Sequence, residues 1–353
     1  MRKGNPMIRS LSLLLVLALL PLYGCAGRKK TYTETSFAWF DTVTTLTGYA
    51  EDEEHFRAVW KTVSEELEQY HRLYDIYHAY EGISNLHTVN ERIDGVHREV
   101  KVDEKIMDLL LFGKEIYAQT DGRVNIAMGS VLSLWHTYRQ AGREEPHSAT
   151  LPPTGELEEA AKHTDLHAMI LDEERGTVLL SDPQMSLDVG AIAKGYVAEM
   201  VAKRLEAEGV SGYLLNLGGN VRALGIRPDG TPFSVGVENP NGEEGKPYAA
   251  RIGLADASLV TSGSYQRYYT VDGKNYHHII DPDTGMPATG YRSVSVRCPS
   301  SAHADALSTA LFLLSVEEGK VLLTDFPDTE VMWILEDGRI LTTDGWKAAE
   351  IDT

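Results

Sequence analysis

Apolar residues recur every three or four positions in several parts of the chain, which is the spacing of one buried helix face. The clearest segment carries its apolar residues at Phe56, Trp60, Val63, Leu67, Tyr70, Leu73 and Tyr77. Similar spacing predicts further helices over about 102–118, 156–162, 191–209 and 302–314. The helix over 191–209 would end at Gly209, a residue type that commonly terminates helices.

Short apolar or alternating runs predict β-strands between these helices. They lie at about 43–47, 178–187 and 212–217, with several more between 232 and 298. Asp272-Gly273 separates two of the later runs and is typical of a tight hairpin turn. The polar segment from Gly142 to Pro153 predicts a loop. Helices and strands do not alternate regularly, so the pattern predicts an α+β fold rather than a parallel sheet.

The N-terminal segment reads as a bacterial lipoprotein signal. Basic residues precede a short apolar run at 11–20, which is followed by Leu22-Tyr23-Gly24-Cys25. This ending resembles a lipobox, so we expect residues 1–24 to be a signal peptide and Cys25 to carry the lipid. Residues 25–36 would then be a tether, and the protein would be extracytoplasmic and anchored to the cell membrane. The alternative is an ordinary secreted protein with a chance cysteine.

Composition limits the classes of function. The 353 residues are 42% apolar and 24% charged, which indicates a globular protein with a sizeable core. The formal net charge of −19 argues against a general nucleic-acid-binding surface, because phosphate binding needs clustered Lys and Arg. Two cysteines cannot form a disulfide framework, and we expect Cys298 to be a small apolar residue on a strand.

The segment from Asp188 to Gly195 is the first candidate for chemistry. Its sequence, Asp-Val-Gly-Ala-Ile-Ala-Lys-Gly, links a strand to a helix. Asp188 could cap the helix or bind a metal, and Lys194 beside a helix N-terminus suits a phosphate. A capped helix with a solvated lysine is the alternative interpretation.

Two further segments combine turn residues with polar side chains. Asn216-Leu-Gly-Gly-Asn220 indicates either a turn or a close approach to a ligand. His277 and His278 are adjacent on a strand, so their side chains should point to opposite faces and only one can face a given cleft. The turn-forming segment from Asp281 to Gly285 follows them.

The last predicted helix carries an oxygen pair. Asp305 and Thr309 are four residues apart and therefore share a face. A carboxylate and a hydroxyl suit a hard cation such as Mg²⁺. The alternative is a surface aspartate beside a threonine bonded to its own helix.

Taken in this order, the segments resemble the bacterial FAD:protein FMN transferases, the ApbE family. The matching motifs are Asp188-x-Gly-x-x-Ala-Lys-Gly, Asn216-Leu-Gly-Gly-Asn, Ser262-Gly-Ser-Tyr, His278-Ile-Ile-Asp-Pro-x-Thr-Gly and Ala304-Asp-Ala-x-x-Thr-Ala-Leu. The resemblance implies one transferase domain over 37–345, with mixed, largely antiparallel sheets, packed helices and a T-fold-like architecture. It also implies a flavin site in a cleft between two halves.

The resemblance implies roles for particular residues. FAD would be the substrate and Mg²⁺ the cofactor, with the metal held by the Ala191 carbonyl, Asp305 and Thr309. His278, Asp188 and Lys194 would be catalytic, with His278 or Asp188 as the base. FAD would contact Phe40, Tyr77, Val124, Asn125, Ile126, Asp188, Lys194 and Ile279.

Three residues depart from the family pattern. Phe40 stands where the family usually has Met, Asp41 where it often has Gly, and Asn125 where many members have Asp. These departures affect the details of the pocket, and the loss of charge at Asn125 would matter if that carboxylate assists catalysis.

The implied activity is transfer of FMN from FAD to a Thr or Ser hydroxyl of a partner protein, with release of AMP. The partner would be a redox-complex subunit or a secreted flavoprotein. Two alternatives remain at this stage. One is Mg²⁺-dependent hydrolysis of FAD to FMN and AMP, and the other is a non-enzymatic flavin-binding lipoprotein.

Overall fold

An eight-stranded antiparallel sheet forms the centre of the computed structural model, which describes residues 29–242 and 245–351. Its strand order is β1-β2-β8-β9-β12-β15-β16-β17. The strands of this sheet are β1 (Lys30–Ser36), β2 (Thr44–Ala50), β8 (Tyr213–Leu217), β9 (Asn220–Leu224), β12 (Ser258–Gly263), β15 (Tyr291–Cys298), β16 (Glu330–Leu335) and β17 (Ile340–Thr342).

Smaller sheets flank the central one. They consist of β3 (Arg92–Ile93) with β4 (Val96–His97), β5 (Val100–Lys101) with β7 (Thr177–Leu180) and β6 (Met169–Asp172), β10 (Phe233–Glu238) with β11 (Tyr248–Leu254), and β13 (Tyr268–Val271) with β14 (Lys274–His277). Every paired strand in the described residues is antiparallel.

The helices are α1 (Glu53–Tyr74), α2 (Leu86–Asn90), α3 (Glu104–Gln119), α4 (Gly129–Glu144), α5 (Thr154–Ala161), α6 (Ala193–Ala207), α7 (Ser301–Leu313), α8 (Val316–Leu322) and α9 (Asp344–Ala349). Helices α1, α3 and α6 share the largest apolar core with β2 and β8. Helix α7 packs on β12 and β15, whereas α4 and α5 form a separate core with the β13–β14 hairpin. The α+β prediction is confirmed.

The sequence predicted several elements closely. The apolar face of α1 is buried at the expected positions, including Phe56, Val63 and Leu67. The β13–β14 hairpin turns at Asp272 and Gly273, whose φ angles of 49° and 78° are those of the expected tight turn. Cys298 is buried at the end of β15, as expected.

Three expectations about elements were wrong. The strand predicted over 178–187 ends at Leu180, because Asp182 and Pro183 begin a turn. The region 129–144 forms helix α4, although the sequence pattern predicted no helix there and a loop from Gly142. Residues 30–36, assigned to a tether, form strand β1 along the edge of the central sheet.

The N-terminal predictions lie outside the described residues. Both the signal peptide, residues 1–24, and the lipid-bearing Cys25 fall before Lys29. Within the described ranges, none of the helices has the length and apolar character needed to cross a bilayer.

Candidate active site

Asp188 organises the turn that leads into α6. Its backbone N–H donates to the Ile126 carbonyl over 2.8 Å, and its Oδ1 accepts a 2.8 Å bond from the Gly190 N–H. Of the two roles considered for Asp188, the helix cap is wrong, because α6 begins at Ala193 and Ile192 occupies the cap position. Burial raises the pKa of Asp188. The Gly190 N–H and the nearby side chains of His136, Arg139 and Lys194 act in the opposite direction.

The bond from Asp188 brings the predicted pocket-wall segment into the site. Val124 and Ile126 are buried, whereas Asn125 is half-buried. The Asn125 amide donates to the Thr164 carbonyl over 2.9 Å and accepts a 2.8 Å bond from the Ala127 N–H. An ionised aspartate could accept the second bond but could not make the first. An aspartate at position 125 would therefore lose the bond to Thr164 that fixes this loop.

The buried Asp305 carboxylate faces the start of α6. Its Oδ2 accepts a 2.7 Å bond from the Gly195 N–H and lies 3.9 Å from Lys194 Nζ. Burial raises the pKa of Asp305, and Lys194 and the Gly195 N–H lower it again. A Cβ at Gly195 would lie 2.3 Å from the Asp305 Cβ, so only glycine permits this approach of the two helices.

Each of the three predicted metal ligands, Ala191, Asp305 and Thr309, offers an oxygen atom. Gly195 lies in the first turn of α6, where a backbone N–H has no partner within the helix, and its N–H bonds to Asp305 instead. Thr309 is half-buried one turn after Asp305 on α7. Among the described residues no group of three or more His, Cys, Asp or Glu side chains could hold a metal ion. A carboxylate, a hydroxyl and a carbonyl form an oxygen set, which is the chemistry that Mg²⁺ prefers, so the residues fit that ion.

A second buried carboxylate, that of Glu199, holds the first turn of α7 in a brace formed with Arg222. Glu199 on α6 accepts a 2.8 Å bond from the Ser301 N–H at the first turn of α7. Arg222 on β9 lies 3.8 Å from Glu199 and donates to Glu206 over 2.9 Å. The sequence analysis missed this brace, although Glu199 is a charged residue among the small and apolar residues of a predicted helix.

Motifs around α7 support the same helix. Ser262 Oγ lies 2.8 Å from Ser308 Oγ, which donates to the Asp305 carbonyl.

The segment from Asn216 to Asn220 joins two strands of the central sheet. Asn216 accepts a 2.9 Å bond from the Gly219 N–H, and Gly218 packs against the Thr42 side chain. The Asn216 segment is therefore a turn in this structure.

Tyr77, which is exposed, lies beside His136 and Arg139 on α4. The ring centroids of Tyr77 and His136 are 5.5 Å apart, and Arg139 donates to His136 Nδ1 over 3.2 Å. His136, Arg139 and Lys194 all lie near Asp188 and lower its pKa. The sequence analysis did not identify His136 or Arg139 as site residues, because recognising their shared face requires knowing that 129–144 is a helix.

The two adjacent histidines have different partners, as their alternation predicts. His277 is buried against Phe312 and lies 2.8 Å from the Ala288 carbonyl. His278 Nδ1 lies 3.3 Å from the Arg267 carbonyl. Because a carbonyl only accepts, Nδ1 carries the hydrogen and Nε2 of His278 is free to accept a proton. Burial, with Arg267, Arg139 and Lys194 nearby, lowers the pKa of His278 to about 3.

The loop that carries Phe40 adopts an uncommon backbone conformation. Phe40 and Asp41 have φ angles of 54° and 47°, in the left-handed region. The Phe40 ring packs edge-on against His71 on α1, with centroids 5.4 Å apart. Glycine would adopt this conformation without strain, so the glycine that the family resemblance leads us to expect at position 41 would suit this loop.

The remaining predicted contacts are partly structural. Ile279 is buried next to His278. The turn from Asp281 to Gly285 is held by an ion pair between Arg123 and Asp283 and by a 2.7 Å bond from Trp135 Nε1 to the Gly285 carbonyl. A separate cavity of about 850 Å³ is lined by Trp39 and Arg72 among others, and none of the predicted site residues lines it.

The chain is similar to a known protein family and to several of its members. The family model of the ApbE family matches residues 40–333. An FAD:protein FMN transferase from Treponema pallidum is 36% identical over 260 residues, covering 70% of each chain. Another from Klebsiella pneumoniae is 30% identical over 276 residues, covering 76% of this chain and 83% of the relative.

Solved structures show the same architecture. The ApbE protein from Thermotoga maritima superimposes with a TM-score of 0.78 at 27% identity, covering 92% of this chain and all of that one. An apo flavinyl transferase ApbE from Pseudomonas stutzeri has a TM-score of 0.75 at 23% identity over 91% of this chain and 97% of its own, which supports the fold alone. The chain described here belongs to the ApbE family.

Proposed function

We propose that this protein transfers the FMN portion of FAD to a Thr or Ser hydroxyl of an acceptor protein, with Mg²⁺ as cofactor and AMP as the leaving product. The observation that carries the proposal is the buried Asp305 carboxylate, held by the Gly195 N–H beside Lys194 in a chain of this family. Curated relatives of this family carry the name of the same reaction.

Asp305, Thr309 and the Ala191 carbonyl would hold the metal. When bound there, Mg²⁺ supplies positive charge that neutralises phosphate oxygens as the bond to phosphorus breaks. Lys194, 3.9 Å from Asp305, would add a second cation. These positive charges would stabilise the negative charge that develops on phosphate oxygens in phosphoryl transfer.

The proposed step balances as a substitution at phosphorus. The acceptor oxygen forms a bond to the phosphorus of the FMN half, and the bond from that phosphorus to the bridging oxygen breaks. AMP leaves with the bridging oxygen, and the hydroxyl proton passes to a base of the protein. No oxidant or reductant is needed.

His278 is the base that the geometry favours. Its Nε2 is the unprotonated nitrogen, and the low pKa keeps the ring neutral at physiological pH. A base with so low a pKa is weak, and binding an anionic diphosphate near Lys194 and Arg139 would raise that pKa towards a useful value. Asp188 remains the second candidate for the base. Burial raises the pKa of its carboxylate, which makes it a stronger base than an ordinary aspartate.

The base assignment is tested by replacing each candidate separately. His278→Gln and Asp188→Asn are assayed for FMN transfer at saturating FAD. If His278 is the base, the rate should fall by about 10²–10⁴-fold in H278Q while FAD affinity changes little. A rate in H278Q close to that of the unmodified protein, with a large loss in D188N, would assign the base to Asp188.

Hydrolysis is the competing outcome of the same chemistry, because water can replace the acceptor hydroxyl. The two reactions are separated by measuring AMP release with and without an acceptor protein. Transfer predicts that AMP release depends on the acceptor and that one FMN is attached for each AMP released. Equal release without acceptor would indicate a hydrolase, and no release under any condition would indicate a flavin-binding protein.

We also propose that Cys25 is lipidated and that the protein is anchored on the outer side of the cell membrane, where its acceptor would be a redox-complex subunit or a secreted flavoprotein. The lipobox-like sequence before Cys25 supports this location. Metabolic labelling with a palmitate analogue should mark the wild-type protein and leave Cys25→Ser unmarked. Labelling of both proteins, or of neither, would contradict the anchor.

A further inference from the structure

Three arginines form a positively charged surface beside His278. Arg139 is half-buried on α4, whereas Arg143 on the same helix and Arg267 before β13 are exposed. Arg139 and Arg143 are four residues apart and therefore share a helix face. Within the ranges that the structure describes, none of the three has a carboxylate oxygen within 4.0 Å. We call this set the arginine surface.

Packing between α4 and the β13–β14 hairpin brings these residues together. Gly142 lies so close to Tyr269 that a Cβ there would be 2.6 Å from the ring. Arg143 follows Gly142, and Arg267 precedes Tyr269 by two residues. Both Arg267 and Arg143 are near enough to Arg139 that their like charge, added to its burial, lowers the Arg139 pKa.

The arginine surface reaches the candidate base directly. The Arg267 carbonyl lies 3.3 Å from His278 Nδ1. Arg139 donates to His136, whose ring lies beside Tyr77. The surface therefore runs from the half-buried Arg139, near Asp188, to the exposed Arg143 and Arg267.

Nearby acidic side chains do not neutralise this surface. Glu144 and Glu145 follow Arg143 in sequence, but Glu144 accepts a bond from Gln140 and Glu145 from Ser148. Asp188 lies near Arg139 and partly offsets its charge. Arg143 and Arg267 have no such carboxylate in the described residues, and in a protein with a net charge of −19 these two exposed cations are an exception to the overall charge. Unpaired cations of this kind attract an anionic partner and speed its association.

We propose that the arginine surface docks an acidic segment of the acceptor protein, next to the hydroxyl that receives FMN. The proposal rests on the proposed function, because it concerns the second substrate of that reaction. A dinucleotide held between Tyr77 and Lys194 would approach Arg139, but the exposed Arg143 and Arg267 face solvent. A protein that delivers a hydroxyl to His278 would come close to Arg267, whose carbonyl lies 3.3 Å from His278 Nδ1.

The test uses three synthetic peptides that are identical except around a single threonine. The flanking residues are aspartates in the first peptide, asparagines in the second and lysines in the third. The full-length protein and the variants Arg143→Glu and Arg267→Glu are each loaded with FAD and Mg²⁺. Peptide binding is followed by fluorescence anisotropy and FMN attachment by mass spectrometry. Lys347→Glu is the matched control, since Lys347 is an exposed cation on α9 and lies outside the proposed site.

The unmodified protein should bind the aspartate peptide about tenfold more tightly than the asparagine peptide, and added salt should reduce this difference. Each arginine variant should lose the preference and favour the lysine peptide, whereas K347E should keep the original preference. FAD affinity, measured by flavin fluorescence, separates acceptor docking from any loss of FAD.

One set of results would overturn the docking surface, and a different result would contradict the proposed transfer. Equal binding of the aspartate and asparagine peptides, or an unchanged preference in R143E and R267E, would overturn the docking surface while leaving FMN transfer intact. Preferential binding of the aspartate peptide with no FMN attached to any peptide would support docking and contradict the transferase activity.

Discussion

At the scale of single residues, the environment of Asp305 explains why this position suits a cation. A buried carboxylate normally needs a partner that compensates for lost hydration. Asp305 has one backbone donor at 2.7 Å and one ammonium group at 3.9 Å, and burial still raises its pKa. The charge is therefore incompletely compensated in the protein alone, which favours binding of a divalent ion.

Replacing Asp305 with Asn should separate metal binding from folding. Asparagine can still accept the bond from the Gly195 N–H, so the variant should fold and melt at or above the wild-type temperature without Mg²⁺. Adding Mg²⁺ should raise the melting temperature of the wild-type protein and leave that of D305N unchanged. Calorimetry at several Mg²⁺ concentrations measures both effects.

Thr309 provides the matched control for this experiment. Thr309→Ser retains a hydroxyl and should keep most of the Mg²⁺-dependent shift, whereas Thr309→Val has the same shape without that oxygen and should lose much of it. Equal Mg²⁺ responses in T309V and the wild-type protein would show that the threonine is not a ligand.

His278 predicts how stability depends on pH. Its pKa falls from 6.5 to about 3 on folding, so between these values the unfolded chain binds a proton that the folded protein does not. The contribution of His278 is therefore fully present above pH 6.5 and is lost as the pH falls towards 3. In His278→Gln, the free energy of unfolding should decrease less between pH 7.5 and pH 5, as measured by urea denaturation.

His55 gives a contrasting control. Its hydrogen bond to Asp52 raises its pKa, so it stabilises the folded protein below the ordinary histidine pKa and loses this effect as the pH rises through the higher folded value. His55→Gln should therefore lower stability at pH 5 more than at pH 7.5. The same pH response in H278Q and H55Q would contradict the opposite signs of the two shifts.

At the scale of secondary structure, the contact between α6 and α7 positions the metal-binding residues. The two helices meet where Gly195 lies against Asp305 and the Ser301 carbonyl. Glu199 on α6 holds the first turn of α7 through the Ser301 N–H. Together these contacts set the distance between Lys194 and Asp305.

Gly195→Ala should disturb this contact. Its Cβ would lie 2.3 Å from the Asp305 Cβ and 2.4 Å from the Ser301 carbonyl oxygen, so the helices must separate. We expect a loss of about 1–3 kcal/mol in stability and weaker Mg²⁺ binding. Gly155→Ala on α5 is the control, because a Cβ there meets nothing within 4 Å and should stabilise that helix by about 0.5 kcal/mol. Similar denaturation midpoints for both variants would contradict the close packing at Gly195.

The elements that the sequence predicted are those whose local signals and tertiary environment agree. The apolar spacing of α1 and the Asp272-Gly273 turn both appear at the expected positions. Helix α4 was missed because Gly142, polar residues and nearby prolines dominate its C-terminal region in the sequence. Its packing against β13 through Tyr269 decides its structure, and local sequence does not encode that contact.

At the scale of the whole molecule, the central sheet brings distant segments to one cleft. Asp188 and Asp305 are separated by more than a hundred residues, and both lie near Lys194. The ordered motifs predicted these neighbours through family resemblance. They could not predict the Glu199 brace or the arginine surface, because those depend on how separate helices and hairpins pack in three dimensions.

The most direct test of the account is the intact mass of a candidate acceptor protein, co-expressed with this protein or with its D305N variant. We expect the acceptor to gain the mass of one phosphoester-linked FMN with the wild-type protein, on a Thr or Ser located by fragmentation, and to gain nothing with D305N. Unchanged masses across several acceptors that other members of the family modify, or equal modification by D305N, would contradict the proposed transfer.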